Sequence, residues 1–141
     1  MSDQQVQAST TLSLKGRTAL VTGAASGLGK RIAEVFGDAG ANVVVADLRQ
    51  ADAQATADEI ARKGVKTLGI AMDVTSEQAV DDGFAQVQKQ LGAVDILVSN
   101  AGIQIVAPIQ DFTFANWKKL LAVHLDGGFL TSRAAVRQMI A

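Results

Sequence analysis

A chain of 141 residues with a formal net charge of −1 and 48% hydrophobic residues suits one globular domain that buries roughly two-thirds of its unfolded surface. That balance excludes the basic footprint of a nucleic-acid binder and a polybasic attachment to anionic lipid. The chain has no cysteine and no tyrosine, so a disulfide framework, thiolate catalysis and any proton transfer through a phenol are excluded too.

In chain order, residues 1–13 are polar, carrying Ser2, Asp3, Gln4, Gln5 and Gln7 with no basic or apolar core, and read as a flexible leader rather than a signal peptide. With no cysteine and no apolar run near the roughly 18 residues of a membrane span, a cytoplasmic, membrane-free protein is expected. From Leu14 onward strand-like and helix-like patterns alternate. Thr18 to Thr22 is a strand. A helix then carries Leu28, Ile32, Val35 and Phe36 on one face and stops at Gly40. Asn42 to Asp47 is the second strand, an alanine-rich helix runs from about Asp52 to Lys63, and Lys66 to Met72 is the third strand. Thr75-x-x-Gln78 matches a capping box ahead of a helix whose face is Val80, Phe84, Val87 and Leu91. Val94 to Ser99 is the fourth strand. A long helical pattern with Trp117, Leu120, Leu121, Leu125, Leu130 and Met139 follows, interrupted at Gly127-Gly128. Strands apolar on both faces and separated by helices predict a doubly wound parallel sheet of the Rossmann type, in the order 3-2-1-4, with helices on both faces.

The turn after the first strand reads Thr22-Gly23-Ala24-Ala25-Ser26-Gly27-Leu28-Gly29. Glycines at a strand-to-helix turn let the backbone approach a pyrophosphate, and the unpaired N–H groups at the helix start, where Leu28 lies, point at its charge. Asp47 closes the second strand about where an acidic residue should grip an adenosine ribose. Its carboxylate accepts hydrogen bonds from both free ribose hydroxyls and repels a 2′-phosphate, so NAD is the expected cofactor, with Arg49 nearby as the contrary signal. The single histidine has no ligand partner at useful spacing, so no metal is expected.

These residues, together with Asp73-Val74 and Ser99-Asn100-Ala101-Gly102, resemble the classical short-chain dehydrogenase/reductase family from Leu14 onward. The resemblance implies that Gly23, Ser26, Gly27, Leu28 and Gly29 bind the cofactor together with Asp47, Asp73, Val74, Asn100, Ala101 and Gly102. Ser26 stands where members preferring NADP often have Arg or Lys. Asp73 serves either beside the adenine or as a turn or cap residue. The run Asn100 to Ile109 followed by Asp111-Phe112 is similar to bacterial 3-hydroxybutyrate dehydrogenases. That likeness implies a small hydroxy acid as substrate, with Gln104 on its carboxylate; the alternative is a polar loop residue. His124 falls at the family's relay asparagine, and is either a proton-relay group or a packed histidine. The family also implies a homo-tetramer with the last helix buried between subunits; Trp117, Phe112, Phe114 and Phe129 read as core or subunit contact rather than cofactor stacking.

The family's catalytic serine and its Tyr-x-x-x-Lys lie beyond this chain in the family's layout. Residues 14–141 are therefore expected to be an incomplete NAD-binding domain, ending after the helix that follows the fourth strand and inactive by itself. Three functions follow: the cofactor-binding part of a 3-hydroxybutyrate dehydrogenase, a short-chain dehydrogenase for another small alcohol or ketone, or a non-catalytic dinucleotide-binding module or inactive fragment.

Overall fold

The structure, a computed structural model, describes residues 12–141; residues 1–11, and with them most of the expected leader, lie outside the described residues. The backbone is first tied down at Leu14, whose N–H donates to the Ala39 carbonyl at 2.8 Å. Four parallel strands follow: β1 (Thr18–Thr22), β2 (Asn42–Asp47), β3 (Thr67–Ala71) and β4 (Ile96–Val98). Their spatial order is β3-β2-β1-β4, as the sequence predicts. Strands three and four are shorter than their apolar runs, because Lys66 and Met72, and likewise Val94 and Ser99, lie beyond the ladders.

Side chains alternate across a strand, so each strand feeds two cores. Leu20, Val44 and Ile70 pack with Val80, Phe84 and Val87 on one face of the sheet. Ala19, Val21, Val43 and Val45 pack with Ala33, Ala57 and Ile60 on the other. The helices that supply these partners are α1 (Gly27–Asp38) and α2 (Gln50–Ala61) on the second face, and α3 (Glu77–Leu91) on the first. Each fully buried aliphatic side chain contributes about 1.5–3 kcal/mol, so the two-sided sheet is the main source of stability.

Three local expectations are corrected. On α1 the buried residues are Gly29, Ala33 and Gly37, while Leu28 and Val35 face solvent. A helix that must lie close to the sheet needs small residues there, and Ile32 and Phe36 pack at its flank. The cap of α3 is Ser76, not Thr75: the Ser76 hydroxyl accepts the Ala79 N–H at 3.2 Å. Thr75 is instead held by Asp73, whose Oδ1 accepts both its N–H (2.9 Å) and its hydroxyl (2.7 Å), so Asp73 is a turn residue as well as a candidate binder. Finally, α4 (Phe114–Leu121) and α5 (Gly127–Met139) are joined by a π-helical turn at Ala122–Asp126. The helix is widened one turn before Gly127-Gly128 rather than broken there. Gly127 serves close packing, since a Cβ on it would come within 2.8 Å of Val74 Cγ2.

Large aromatic residues expected in the core or at a subunit contact are not in the core. Phe114, Trp117 and Phe129 are exposed, and Phe112 is half-buried.

Candidate functional site

Parallel pairing brings all four carboxyl ends to one edge of the sheet. Thr22 is level with Ala46, and Asp47 with Ala71. The glycine turn, Asp47 and the segments after β3 and β4 therefore converge on a cavity of about 550 Å³. Gly23, Ser26, Asp47, Asp73, Val74, Asn100, Ala101 and Gly102 all line it. So do Leu48, Met72, Thr75, Ile103, Lys119, Ala122 and Val123, which the sequence reading did not single out. The first four of these seven directly flank predicted residues at strand ends. The other three come from the far helix, whose crossing over the pocket has no signature in sequence.

The glycine turn is built for close approach. Gly23 and Gly27 hold φ of 64° and 58°, a region glycine occupies without strain. A Cβ on Gly29 would lie 2.5 Å from Asn100 Nδ2 and closer still to the Gly23 carbonyl, so α1 and the β4 loop meet through a glycine. Gly27, Leu28 and Gly29 form the first turn of α1, where N–H groups have no intrahelical acceptor. Leu28 is 70% exposed, so its part in binding is that of its backbone.

Asp47 is held in place. Its Oδ2 accepts the Ala25 N–H at 3.0 Å and its Oδ1 accepts the Leu48 N–H at 2.8 Å. Each oxygen keeps a lone pair for a ligand hydroxyl. The turn is fastened to α2 as well, through the Thr56 hydroxyl, which donates to the Ala25 carbonyl at 3.2 Å. At the other side of the cavity, the buried Thr22 hydroxyl accepts the N–H groups of both Asn100 and Ala101 at 3.0 Å. The Asn100 amide donates to the Thr22 and Gly23 carbonyls at 3.0 and 3.3 Å. Thr22 thus locks the floor of the site to the glycine turn, a role the sequence reading left unassigned.

His124 and Gln104 do not line the cavity. The π turn directs His124 onto the loop after β4, where its Nε2 lies 2.8 Å from the Ile103 carbonyl and 3.2 Å from the Ile103 nitrogen. One ring nitrogen serves one of these at a time: protonated it donates to the carbonyl, and bare it accepts the N–H. A Cβ on Gly102 would lie 2.7 Å from the ring's Cε1. Gln104, the next residue but one, is exposed. Among the described residues there is no group of His and acidic side chains able to hold a metal, and no helix is long and apolar enough to cross a membrane.

An adenosine pyrophosphate fits these residues. A Cβ on Gly23 or Gly29 would run into the Asn100–Ala101 segment, so glycine lets the turn lie against the cavity floor; the helix start offers free N–H groups, and the carboxylate acceptor is fixed at the end of β2. Known proteins agree. A family model described as short chain dehydrogenase matches residues 17–141. Sorbitol dehydrogenase of Cereibacter sphaeroides is 39% identical over 128 residues, covering 91% of this chain and 49% of that protein. The D-beta-hydroxybutyrate dehydrogenase of Cupriavidus necator is 38% identical over 126 residues, covering 89% and 49%. The crystal structure of a short-chain type dehydrogenase/reductase from Mycobacterium marinum superposes with a TM-score of 0.88 at 39% identity, covering 92% of this chain and 51% of that one. The chain spans about half the length of the curated relatives it matches. With its sheet order, its glycine turn and the family match in agreement, the chain belongs to the short-chain dehydrogenase family, whose members are oxidoreductases that bind a nicotinamide dinucleotide.

Proposed function

We propose that the chain is the cofactor-binding part of an NAD-dependent oxidoreductase acting on a CH–OH group, with 3-hydroxybutyrate and acetoacetate as the substrate pair. The observation that carries the cofactor reading is the fixed Asp47 carboxylate in the cavity. It accepts from a free ribose 2′-hydroxyl and opposes a 2′-phosphate. Residues lining the cavity would hold a nicotinamide dinucleotide, which when bound would supply the hydride acceptor for oxidation of a CH–OH group. This chain's residues do the positioning. Gly23, Gly27 and the start of α1 hold the pyrophosphate, while Asp73 and Val74 flank the adenine. Asn100 to Gly102 form the floor.

The substrate reading rests on the loop after β4, where Gln104 is exposed and free to donate to a carboxylate. It is supported by the likeness to the hydroxybutyrate enzyme of Cupriavidus necator. A polyol or another small alcohol is the second reading, favoured by the equal likeness to sorbitol dehydrogenase. His124 occupies the relay position and holds the Ile103 peptide, from which a proton path toward the substrate would pass. The proposal places the protein in the cytoplasm as a homo-tetramer. Trp117, Leu125 and Phe129 expose apolar surface along α4 and α5 that a second copy would cover.

Calorimetric titration with NAD and NADP tests the cofactor reading. NAD should bind more tightly, and Asp47→Ala should weaken it by about 1–3 kcal/mol, the scale for hydrogen bonds to a charged group. Equal or tighter binding of NADP by the native protein rejects it. In a longer form carrying the family's Ser and Tyr-x-x-x-Lys, Gln104→Ala should lower kcat/KM for 3-hydroxybutyrate and leave NAD affinity unchanged. Equal losses with alcohols that lack a carboxylate reject the role of Gln104.

A further inference from the structure

The end of β2 carries two opposed signals. Asp47 repels a 2′-phosphate, yet Arg49, two residues on, is a guanidinium of the kind that binds one bidentately. The structure shows what Arg49 does instead. It stands at the N-cap position of α2 with extended backbone, φ −108° and ψ 119°, and its Nη2 lies 2.5 Å from Asp52 Oδ2 in the first turn of that helix. The pair is i,i+3, the Arg49 side chain is 82% exposed, and Arg49 contributes nothing to the cavity wall, whereas Leu48 does.

The backbone beneath this pair is fixed from below. Gln50 donates through Nε2 to the Gly69 carbonyl at 2.7 Å and accepts the Ala71 N–H through Oε1 at 2.8 Å. That clamp sets the first turn of α2 against the end of β3. Asp52 is also well placed electrostatically, since a carboxylate in a first helical turn is stabilised by the helix dipole. The other cations nearby are differently engaged. Lys30 pairs with Glu59 across α1 and α2 at 2.5 Å, and Lys119 lies in the cavity wall on the α4 side.

We infer that Asp52 is a specificity-determining residue: it engages the Arg49 guanidinium along α2, so that the one cation beside Asp47 is withheld from a cofactor 2′-phosphate. Discrimination against NADP is then set twice, by the repulsion of Asp47 and by the sequestration of Arg49. The inference deepens the cofactor reading and rests on it. It also assigns a function to an exposed ion pair whose worth to folding is small.

The test is a mutant cycle read by binding rather than by turnover. Dissociation constants for 5′-AMP and its 2′-phosphorylated form, 2′,5′-adenosine diphosphate, and for NAD and NADP, with ADP as a reference for the site, are measured with the native protein, Asp52→Asn, Arg49→Ala and the double variant. Asp52→Asn should improve the affinity for the 2′-phosphorylated member of each pair, relative to the other, by about fivefold, the upper scale of an exposed ion pair. In the Arg49→Ala background the same substitution should change the ratio hardly at all. Asp52→Glu, which keeps the carboxylate, should behave like the native protein. An equal improvement with and without Arg49 would show a simple loss of negative charge and overturn the inference while leaving the cofactor site standing. No binding of NAD or ADP by the native protein would overturn both. Thermal melting of each variant controls for folding, and the five proteins should melt within a few degrees of one another.

Discussion

The hydroxyl of Thr22, at the end of β1, accepts the backbone N–H of Asn100 at 3.0 Å, and the Asn100 amide returns to the Thr22 carbonyl at the same distance. This reciprocal pair joins the strand that leads into the glycine turn to the loop that forms the cavity floor. Thr22 is completely buried, and its hydroxyl also serves the Ala101 N–H. Thr22→Val keeps the shape and removes the acceptor, leaving the Ala101 N–H without a partner and the Asn100 N–H with the Val98 carbonyl alone, at 3.0 Å. The expected loss of stability in chemical denaturation is about 1–3 kcal/mol for each N–H that stays buried and unpaired. Thr22→Ser keeps the hydroxyl and should recover most of that loss. A Thr22→Val protein as stable as the native one would show that the floor is held by other means.

Gly29 is the point where α1 and the floor come closest. In Gly29→Ala the new Cβ meets Asn100 Nδ2 and the Gly23 carbonyl, so either α1 moves out or the Asn100 amide lets go of the turn. Overpacking of this kind costs about 1–3 kcal/mol. Because both responses disturb the cradle, NAD affinity should fall by about tenfold or more even where the variant remains folded. Gly64→Ala supplies the comparison: its Cβ meets nothing within 4 Å, but its φ of 85°, unlike the helical backbone of Gly29, is unfavourable to a side chain, and it should cost stability without changing NAD affinity. Unaltered NAD binding by Gly29→Ala would remove the glycine from the site.

The fold was legible because each strand carries its burial in its own composition: Val43-Val44-Val45-Ala46 is apolar at every position, which only a strand covered on both faces requires. The candidate site was legible as far as it lies on strand ends, where Asp47 closes β2 and Gly23, Asp73 and Asn100 follow their strands by a residue or two. Two kinds of information were not local and could not be read. The face of α1 turned out to be the small residues Gly29, Ala33 and Gly37, because the distance from helix to sheet outweighs the hydrophobicity of Leu28 and Val35. The contribution of Lys119, Ala122 and Val123 depends on where α4 crosses the cavity. The interruption expected at Gly127-Gly128 lies instead in the π turn at Ala122–Asp126 for a related reason: Gly127 answers a close contact with Val74, which sequence does not display.

Lys30 and Glu59 tie α1 to α2 at 2.5 Å, and the hydrogen bond and charge of Lys30 hold the Glu59 carboxyl below its ordinary 4.5. A carboxylate whose folded-state pKa is depressed contributes stability above its unfolded pKa, and loses it as pH falls through the folded value. The contribution should therefore be complete at neutral pH, begin to fade below about pH 4.5 and be lost as the pH passes below the depressed folded value. Lys30→Met should return the Glu59 midpoint, followed by carboxyl NMR, toward its ordinary value, and flatten the acid limb of the stability profile slightly. Being solvent-exposed, the pair should also weaken with added salt. An unchanged Glu59 midpoint in Lys30→Met would mean that another group depresses it.

The protein as it stands should bind NAD and yet oxidise no alcohol. Hydride transfer needs a partner for the hydroxyl proton, and a positioned acid or base is worth roughly 10²–10⁴-fold in rate. The family's acid/base group is a tyrosine, and these 141 residues contain none. His124 is the single histidine of the chain, but its Nε2 is turned onto the Ile103 peptide and its ring lies outside the cavity wall. It can steady the loop, or pass on a proton delivered by another group, without reaching a substrate oxygen itself. Purified protein incubated with NAD and 3-hydroxybutyrate should give no NADH absorbance above a boiled control, while calorimetry on the same sample shows NAD bound. Protein-dependent NADH formation that His124→Ala abolishes and His124→Asn does not restore would make the histidine the catalyst, and would place its ring in the cavity during turnover.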